Sequence, residues 1–400
     1  MKSLNEVNSR FIALYGKGEE PRTFMSPGRV NMIGEHVDYN GGKVFPAALT
    51  LKNTIAVREN GKDVVCIAFT DLEGVTEIKI SDLSKYKEMK YVNYPVSVML
   101  KMQEAGYEIV GCDMLFHSTL PHGSGLSASA SVCDGTALVF MTLYNEAKDI
   151  DKPVDMIELA KLCQKAEHAL GVPCGIMDQF AVAMGKKDHA ILLNCSDLKY
   201  EHVPFKVDGV KVIITNSNVK HALGDSAYEQ RVKECKAALE VFKKYMPEKT
   251  CLADILPSEY EKYRIHLTLL MKIRAEHVVY ECFRTEDGVE ALKRGDVEQF
   301  GAYMFQSHDS LKIFYQVSCE ELDILVEAAK KADGVIGSRM TGAGFGGCTV
   351  TLIKEESVEK FIEYVGKTYK EKTGIEADFY VTNMGDGAME ITDTEKYELD

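Results

Sequence analysis

No C-x-x-C pair and no cysteine–histidine cluster at zinc spacing occurs in the chain, which excludes the small zinc modules. The eleven cysteines are scattered, the pattern of reduced thiols in a cytoplasmic protein rather than of a disulfide framework. Positive charge is in deficit: a net charge of −14 excludes an extended surface for nucleic acid or anionic membrane. No stretch is apolar for long enough to span a bilayer, and Met1-Lys2-Ser3-Leu4-Asn5-Glu6 lacks the apolar core of a signal peptide. Tryptophan is missing altogether, so any stacking on a planar ligand falls to other aromatic residues. G-x-x-x-x-G-K-[ST] and the H-R-D and D-F-G sets are missing too, which excludes P-loop and protein-kinase folds.

What is present fits an ordinary two-domain protein. The 400 residues, 46% of them hydrophobic, can bury a large core. Ser3 and Glu6 frame a first helix with Leu4, Val7, Phe11 and Leu14 on one face. Strands are expected over 29–33, 53–58, 64–69, 75–80 and 112–118, with a helix near 95–105. Further helices are expected over 156–170, 175–184 and 226–245, around 267–283, and over 297–308, 320–331 and 356–372. Strands over 190–195, 212–216, 338–340, 348–353 and 377–382 complete a mixed α+β pattern, dividing near residue 206 into domains 1–206 and 207–400.

Leu120 to Ser131 carries the strongest chemical signal. It leaves a strand, passes Gly123, Ser124, Gly125, Leu126, Ser127, Ala128 and Ser129, and enters an apolar helical pattern. Glycines let backbone approach an anion, and the opening N–H groups of a helix bind phosphate. A second segment, Pro27 to Gly42, delivers Glu35, His36 and Asp38 within four residues, a grouping suited to the hydroxyls of a polyol or to a polar turn. A third places Asp178 in the first turn of a helix after a Pro–Gly loop, where it serves either the helix dipole or a cleft. Glu167 shares an apolar stripe with Ala160, Cys163 and Leu170, a conflict that a cation, a metal or an outward-reaching side chain resolves. Finally, Gly342, Gly344 and Gly347 match G-x-G-x-x-G, but a strand follows where a dinucleotide fold needs a helix. A tight loop pressed on a ligand or another loop is expected instead.

Taken together, G-R-V-N-M-I-G-E-H-V-D-Y-N, G-S-G-L-S-A-S-A-S, C-G-I-M-D-Q and R-M-T-G-A-G-F-G-G-C resemble, in order, the signatures of the GHMP small-molecule kinase family. The resemblance implies an N-terminal domain like ribosomal protein S5 and a ferredoxin-like C-terminal domain, with the site between them. It implies ATP-dependent phosphorylation of the C1 hydroxyl of galactose, with N-acetylgalactosamine or a pentose as alternative acceptor, or a sugar- and ATP-binding regulator. On that pattern Asp178 and Arg29 are catalytic, and Glu35, His36, Asp38, Gly175 and Tyr228 contact the hexose. Asp178 either accepts the hydroxyl proton or orients the sugar. Gly123 to Ser129 wrap the ATP phosphates, Tyr91 and Tyr94 flank adenine, and Ser129 and Glu167 hold Mg²⁺. Tyr228 also lies near a Ser226–Glu229 capping pattern. The chain departs from the family at Tyr91, where tryptophan is usual, and at Ala128, Val96-Ser97, Val172-Pro173 and Val232. A monomer in the cytoplasm is expected.

Overall fold

The computed structural model describes residues 3–121, 123–205, 207–220 and 224–392. Its first sheet has six strands in the order Met389–Ile391, Arg22–Asn31, Pro46–Glu59, Cys112–Ser118, Val64–Phe69, Thr76–Lys79. Strand alternation divides its two faces. Ala56 and Leu115 point to the helix Leu4–Tyr15, meeting Leu4, Val7 and Phe11. Ile55, Val57, Met114 and Phe116 point the other way, into a core closed by the helices Asn93–Glu104, Ala128–Ala147 and Met156–Ala169.

The Ala128–Ala147 helix lies close on that sheet because Gly135 faces it: a methyl there would meet Ile55 Cδ1 at 2.5 Å and Ser26 Cβ at 3.0 Å. Polar bonds fix its register. Ser131 Oγ donates to Ser26 O (2.6 Å), and Asn53 Nδ2 donates to Ser131 Oγ (2.7 Å). The mouth of this helix is therefore held against the strand that carries Arg29.

The second sheet is antiparallel, in the order Val335–Thr341, Gly346–Lys354, Val210–Lys220, Asp378–Thr382. One face packs on the helices Glu320–Ala329 and Val358–Thr373 through Ile213, Ile353, Phe361 and Tyr369. The other face packs on Val297–Ser310, where Gly301 and Gly337 bring helix and strand backbones together. A shared core joins the two halves: Val30, Phe45 and Leu126 from the first meet Val350, Phe300 and Met304 from the second. A small sheet, Lys43–Val44, His189–Asn194, Tyr200–Pro204, lies alongside.

Most expected elements occur, with shifted ends. The strand expected over 29–33 runs over Arg22–Asn31, and the helix near 267–283 extends over Leu269–Lys293. The helix expected from Ser226 begins at Gly224, so Ser226 lies inside its first turn and does not precede it. Tyr200–Pro204 and Met389–Ile391 have no counterpart in the sequence reading.

Candidate functional site

A cavity of about 620 Å³ opens where the Ala128–Ala147 helix, the Glu35–Asp38 turn, the Met177–Met184 helix and the loop 342–347 converge, within the usual range for a ligand site. Arg29, at its base, is 4% exposed. Its Nε and Nη2 donate to Asp178 Oδ1 and Oδ2 at 2.8 Å each, a two-point fork, and its Nη1 donates to Gly125 O at 2.7 Å. Burial alone would lower the basicity of this guanidinium; Asp178 and Glu35 outweigh it and hold the charge on. Ser127 Oγ donates to Asp178 Oδ2. A single arginine thus joins the aspartate to the 123–129 loop.

Backbone geometry shapes that loop. Gly123, Gly125 and Ser127 have φ of 66°, 76° and 58°, and Ser127 directs its hydroxyl to Asp178 instead of capping the helix. The amides opening the Ala128–Ala147 helix are left to a ligand. Opposite them, methyls on Gly342 (φ 85°) and Gly347 (φ 79°) would sit 3.0 Å from Gly125 O and 3.3 Å from Ser124 O. The second glycine run is a loop pressed on the first, in accord with the strand that follows it.

The residues of and around the Glu35–Asp38 turn divide into two groups. Glu35, Asp38 and Tyr228 line the cavity, and burial, followed by the neighbouring Asp178, raises the Asp38 carboxyl to about 7. His36 lines it too, but both ring nitrogens are engaged: Nε2–H donates to Ala343 O (3.0 Å) and Nδ1 accepts from Tyr39 Oη (2.9 Å). Tyr315 in turn donates to Tyr39 at 2.7 Å. Burial, followed by His277, lowers the His36 pKa to about 3, so the ring is neutral and braces the turn. Gly175 stands behind Asp38 rather than in the lining: a methyl there would lie 1.9 Å from Asp38 Oδ2. Gly175→Ala is expected to displace Asp38 and raise the KM of the substrate held at the Glu35–Asp38 turn by roughly 10–100-fold, about 1.4–2.7 kcal/mol, with a smaller change in the KM of a substrate bound at the 123–129 loop. Initial-rate kinetics in both substrates check this.

Glu167 is 3% exposed and, among the described residues, has no cation within ion-pair distance. Gln179 Nε2 donates to its Oε1 (3.1 Å) and Ser129 Oγ to its Oε2 (3.4 Å). Burial, then Asp178, raises its pKa to about 7. Tyr94 and Ala128 also line the cavity. Tyr91 does not: it is 55% exposed, with Lys90 Nζ 5.7 Å from its ring centroid. Sequence reasoning missed Arg339 as a partner of Glu35, the Ser127–Asp178 contact and Gln179, because each depends on a pairing across the fold.

The chain is similar to known proteins along nearly its whole length. The galactokinase galactose-binding signature matches residues 9–59, the GHMP kinases N-terminal domain residues 93–186, and the GHMP kinases C-terminal domain residues 289–371. The galactokinase of Bacillus subtilis (strain 168) is 44% identical over 394 residues, spanning 96% of this chain and 98% of that protein. That of Fusobacterium nucleatum subsp. nucleatum is 44% identical over 393 residues, spanning 97% and 100%. The crystal structure of Lactococcus lactis galactokinase complexed with galactose superposes with a TM-score of 0.92 at 36% identity, covering 97% of this chain and 100% of that one. Methanococcus jannaschii mevalonate kinase, at 20% identity and a TM-score of 0.64 over 92% of this chain and 100% of that one, shares the fold. Fold and site together define a GHMP-type small-molecule kinase, with an S5-like N-terminal and a ferredoxin-like C-terminal half. Within that class, the chain belongs to the galactokinase family.

Proposed function

We infer that this protein transfers the γ-phosphoryl group of ATP to the C1 hydroxyl of α-D-galactose, giving galactose 1-phosphate and ADP. The observation that carries this reading is the Asp178–Arg29 fork at the mouth of the phosphate-loop helix, beside the Glu35–Asp38 turn. The C1 oxygen attacks the γ-phosphorus, the bond to the β-phosphate oxygen breaks, and the hydroxyl proton passes to Asp178. A carboxylate offers about four lone-pair sites, and Arg29 and Ser127 occupy three of those on Asp178. One site is left for the sugar hydroxyl. In a loose transition state most of the work is positioning and charge stabilisation. Arg29, held by Gly125 O, fixes the distance between acceptor and phosphate loop. Glu35, Asp38 and Tyr228 orient the hexose. Tyr94 provides the aromatic surface at the adenine end. A monomeric working unit belongs to the same reading, since one chain supplies the whole site, and with it go the cytoplasmic location and the division of the chain near residue 206, with Met389–Ile391 returning to the first sheet.

The charges of the site bear on the cation. Among its described lining residues Arg29 is the single lysine or arginine, against Glu35, Asp38, Glu167, Asp178 and Glu229. ATP alone would meet repulsion there. Ser129 and Glu167 fit a magnesium ion: a buried carboxylate lacking an ion-pair partner stands beside a hydroxyl, and Mg²⁺ takes its remaining ligands from phosphate and water. Bound there, the ion neutralises charge on the phosphate oxygens. Glu167→Gln is expected to raise the Mg²⁺ concentration for half-maximal rate roughly 10–100-fold, of the order seen when a metal site loses a supporting group. An unchanged Mg²⁺ titration sinks the assignment.

Asp38 gives a pH-dependent outcome. Its carboxyl is raised to about 7 in the folded protein from 3.8, so its contribution to stability is complete below about 4 and lost as pH rises through about 7. Asp38→Asn is expected to melt above the wild type at pH 8 without ligands, to lose more than half of that advantage at pH 5, and to bind galactose more weakly at both. Thermal melts at the two pH values check it. The reaction itself is tested by ADP release with galactose, N-acetylgalactosamine and a pentose panel. ADP release with galactose above all others supports the reading; none with any sugar overturns it.

A further inference from the structure

Arg339 is fully buried, with no exposure of its side chain. Its Nη2 donates to Glu35 Oε2 at 2.7 Å and its Nη1 to Asn31 O at 2.8 Å. The same Glu35 Oε2 accepts from the backbone N–H of Gly342 at 3.0 Å. His277 Nε2 donates to Glu35 O (3.0 Å), so main chain and carboxylate of this residue are both held. Burial, with Arg284 next among the lowering causes, brings His277 down to about 4, so that clamp is neutral. One oxygen of Glu35 is consumed by Arg339 and the glycine loop; Oε1 is the atom open to a sugar hydroxyl. The loop that starts at Gly342 lies against the Gly125 carbonyl, which also accepts from Arg29. Hydrogen bonds thus run from the hexose turn through Glu35 to the covering loop, and close backbone packing of Gly342 and Gly347 on Gly125 and Ser124 carries the path on to the phosphate loop.

We propose that Arg339 is a positioning residue that couples the two substrate subsites: galactose on Glu35 orders the 342–347 loop against the phosphate loop before nucleotide arrives. The proposal rests on the sugar-kinase reading of the site. Its physical basis is geometric. A carboxylate shared between a ligand and a loop amide cannot move without moving both, and the buried guanidinium fixes its orientation. By linkage, sugar must then tighten nucleotide binding by the factor by which nucleotide tightens sugar binding, typically about 5–150-fold for coupled sites. Contiguity alone does not establish coupling, so the test reads each loop directly.

Hydrogen exchange is measured on the wild-type protein with and without galactose, nucleotide being absent. The expected result is protection of the 342–347 amides, and of 123–126, alongside protection at 35–38. A galactose-dependent thermal shift is recorded in parallel. If galactose shifts the melt but leaves the 342–347 amides unchanged, the coupling is refuted while the sugar reading stands. If galactose gives no shift, the sugar reading itself fails. Arg339→Lys supplies the second arm, because lysine keeps the charge but cannot bridge Glu35 and Asn31 O together. It is expected to bind galactose more weakly yet measurably, to lose the loop protection at saturating galactose, and to make the ATP KM independent of sugar concentration. Retained protection in a folded Arg339→Lys protein overturns the role given to Arg339. Where that variant does not fold, the wild-type exchange result decides.

Discussion

Replacing Asp178 with asparagine is expected to lower turnover 10²–10⁴-fold, the usual worth of a positioned base and about 3–5 kcal/mol of barrier. Asparagine keeps the volume and one acceptor oxygen, so the first turn of the Met177–Met184 helix and the cavity wall are preserved. What changes is the charge facing Arg29 and the lone pair facing the sugar. Arg29 Nη2 and the Ser127 hydroxyl both donate to Oδ2, and an amide nitrogen in that place offers them no acceptor. A stability loss of about 1.5–3 kcal/mol follows from weakening charged hydrogen bonds. Galactose binding, followed by thermal shift, should stay within a few-fold of wild type, since Glu35, Asp38 and Tyr228 are untouched. Wild-type ADP release from a purified, folded Asp178→Asn protein would remove Asp178 from the chemistry.

Arg29→Met carries the other large effect. Methionine fills much of the space but leaves Asp178 without its fork and Gly125 O without its donor. Stripping one partner from a fully buried pair typically costs about 3–5 kcal/mol, and less here because the Asp178 side chain is 26% exposed; losing a charged donor near a developing charge costs about 10²–10³ in rate. Both losses are expected here, with a higher ATP KM because the phosphate loop is no longer tied down. The sign of the double variant is the sharper measurement. Combining Arg29→Met with Asp178→Asn removes both charges, so stability should recover relative to Arg29→Met alone while activity does not. Denaturant melts of the four proteins close the cycle. A double variant less stable than the sum of the singles would show that the fork does not carry the energetics described.

The site was legible where a residue's type conflicted with its surroundings. Glu167 on an apolar stripe left a cation, a metal or an outward reach open, and the fold buries it beside Ser129. The glycine run at 342–347, followed by a strand, could not be a dinucleotide loop, and it lies instead on the 123–125 loop. Local pattern failed where the deciding contact was distant. Nothing near His36 shows that Ala343, 307 positions away, takes one ring nitrogen. Glu35 and Arg339, 304 apart, form a pair that no spacing rule registers. Tyr91 was placed by analogy with a larger indole, yet it stands in solvent. The short Met389–Ile391 strand exists because the Arg22–Asn31 edge is there to receive it. Three residues hold too little alternation to announce a strand on their own.

That late-arriving strand has a consequence for biosynthesis. Arg22 and Glu390 are bonded across 368 positions. At translation rates of roughly 5–20 residues per second, the margin beside Arg22–Asn31 stands open on the order of 20–70 s before its neighbour emerges. For that interval the outward amides and carbonyls of Thr23–Met25, which Met389–Ile391 later covers, stand bare to any other chain in the vicinity. Yield in the cell should therefore depend on chaperone capacity during synthesis more steeply than the finished molecule's stability suggests.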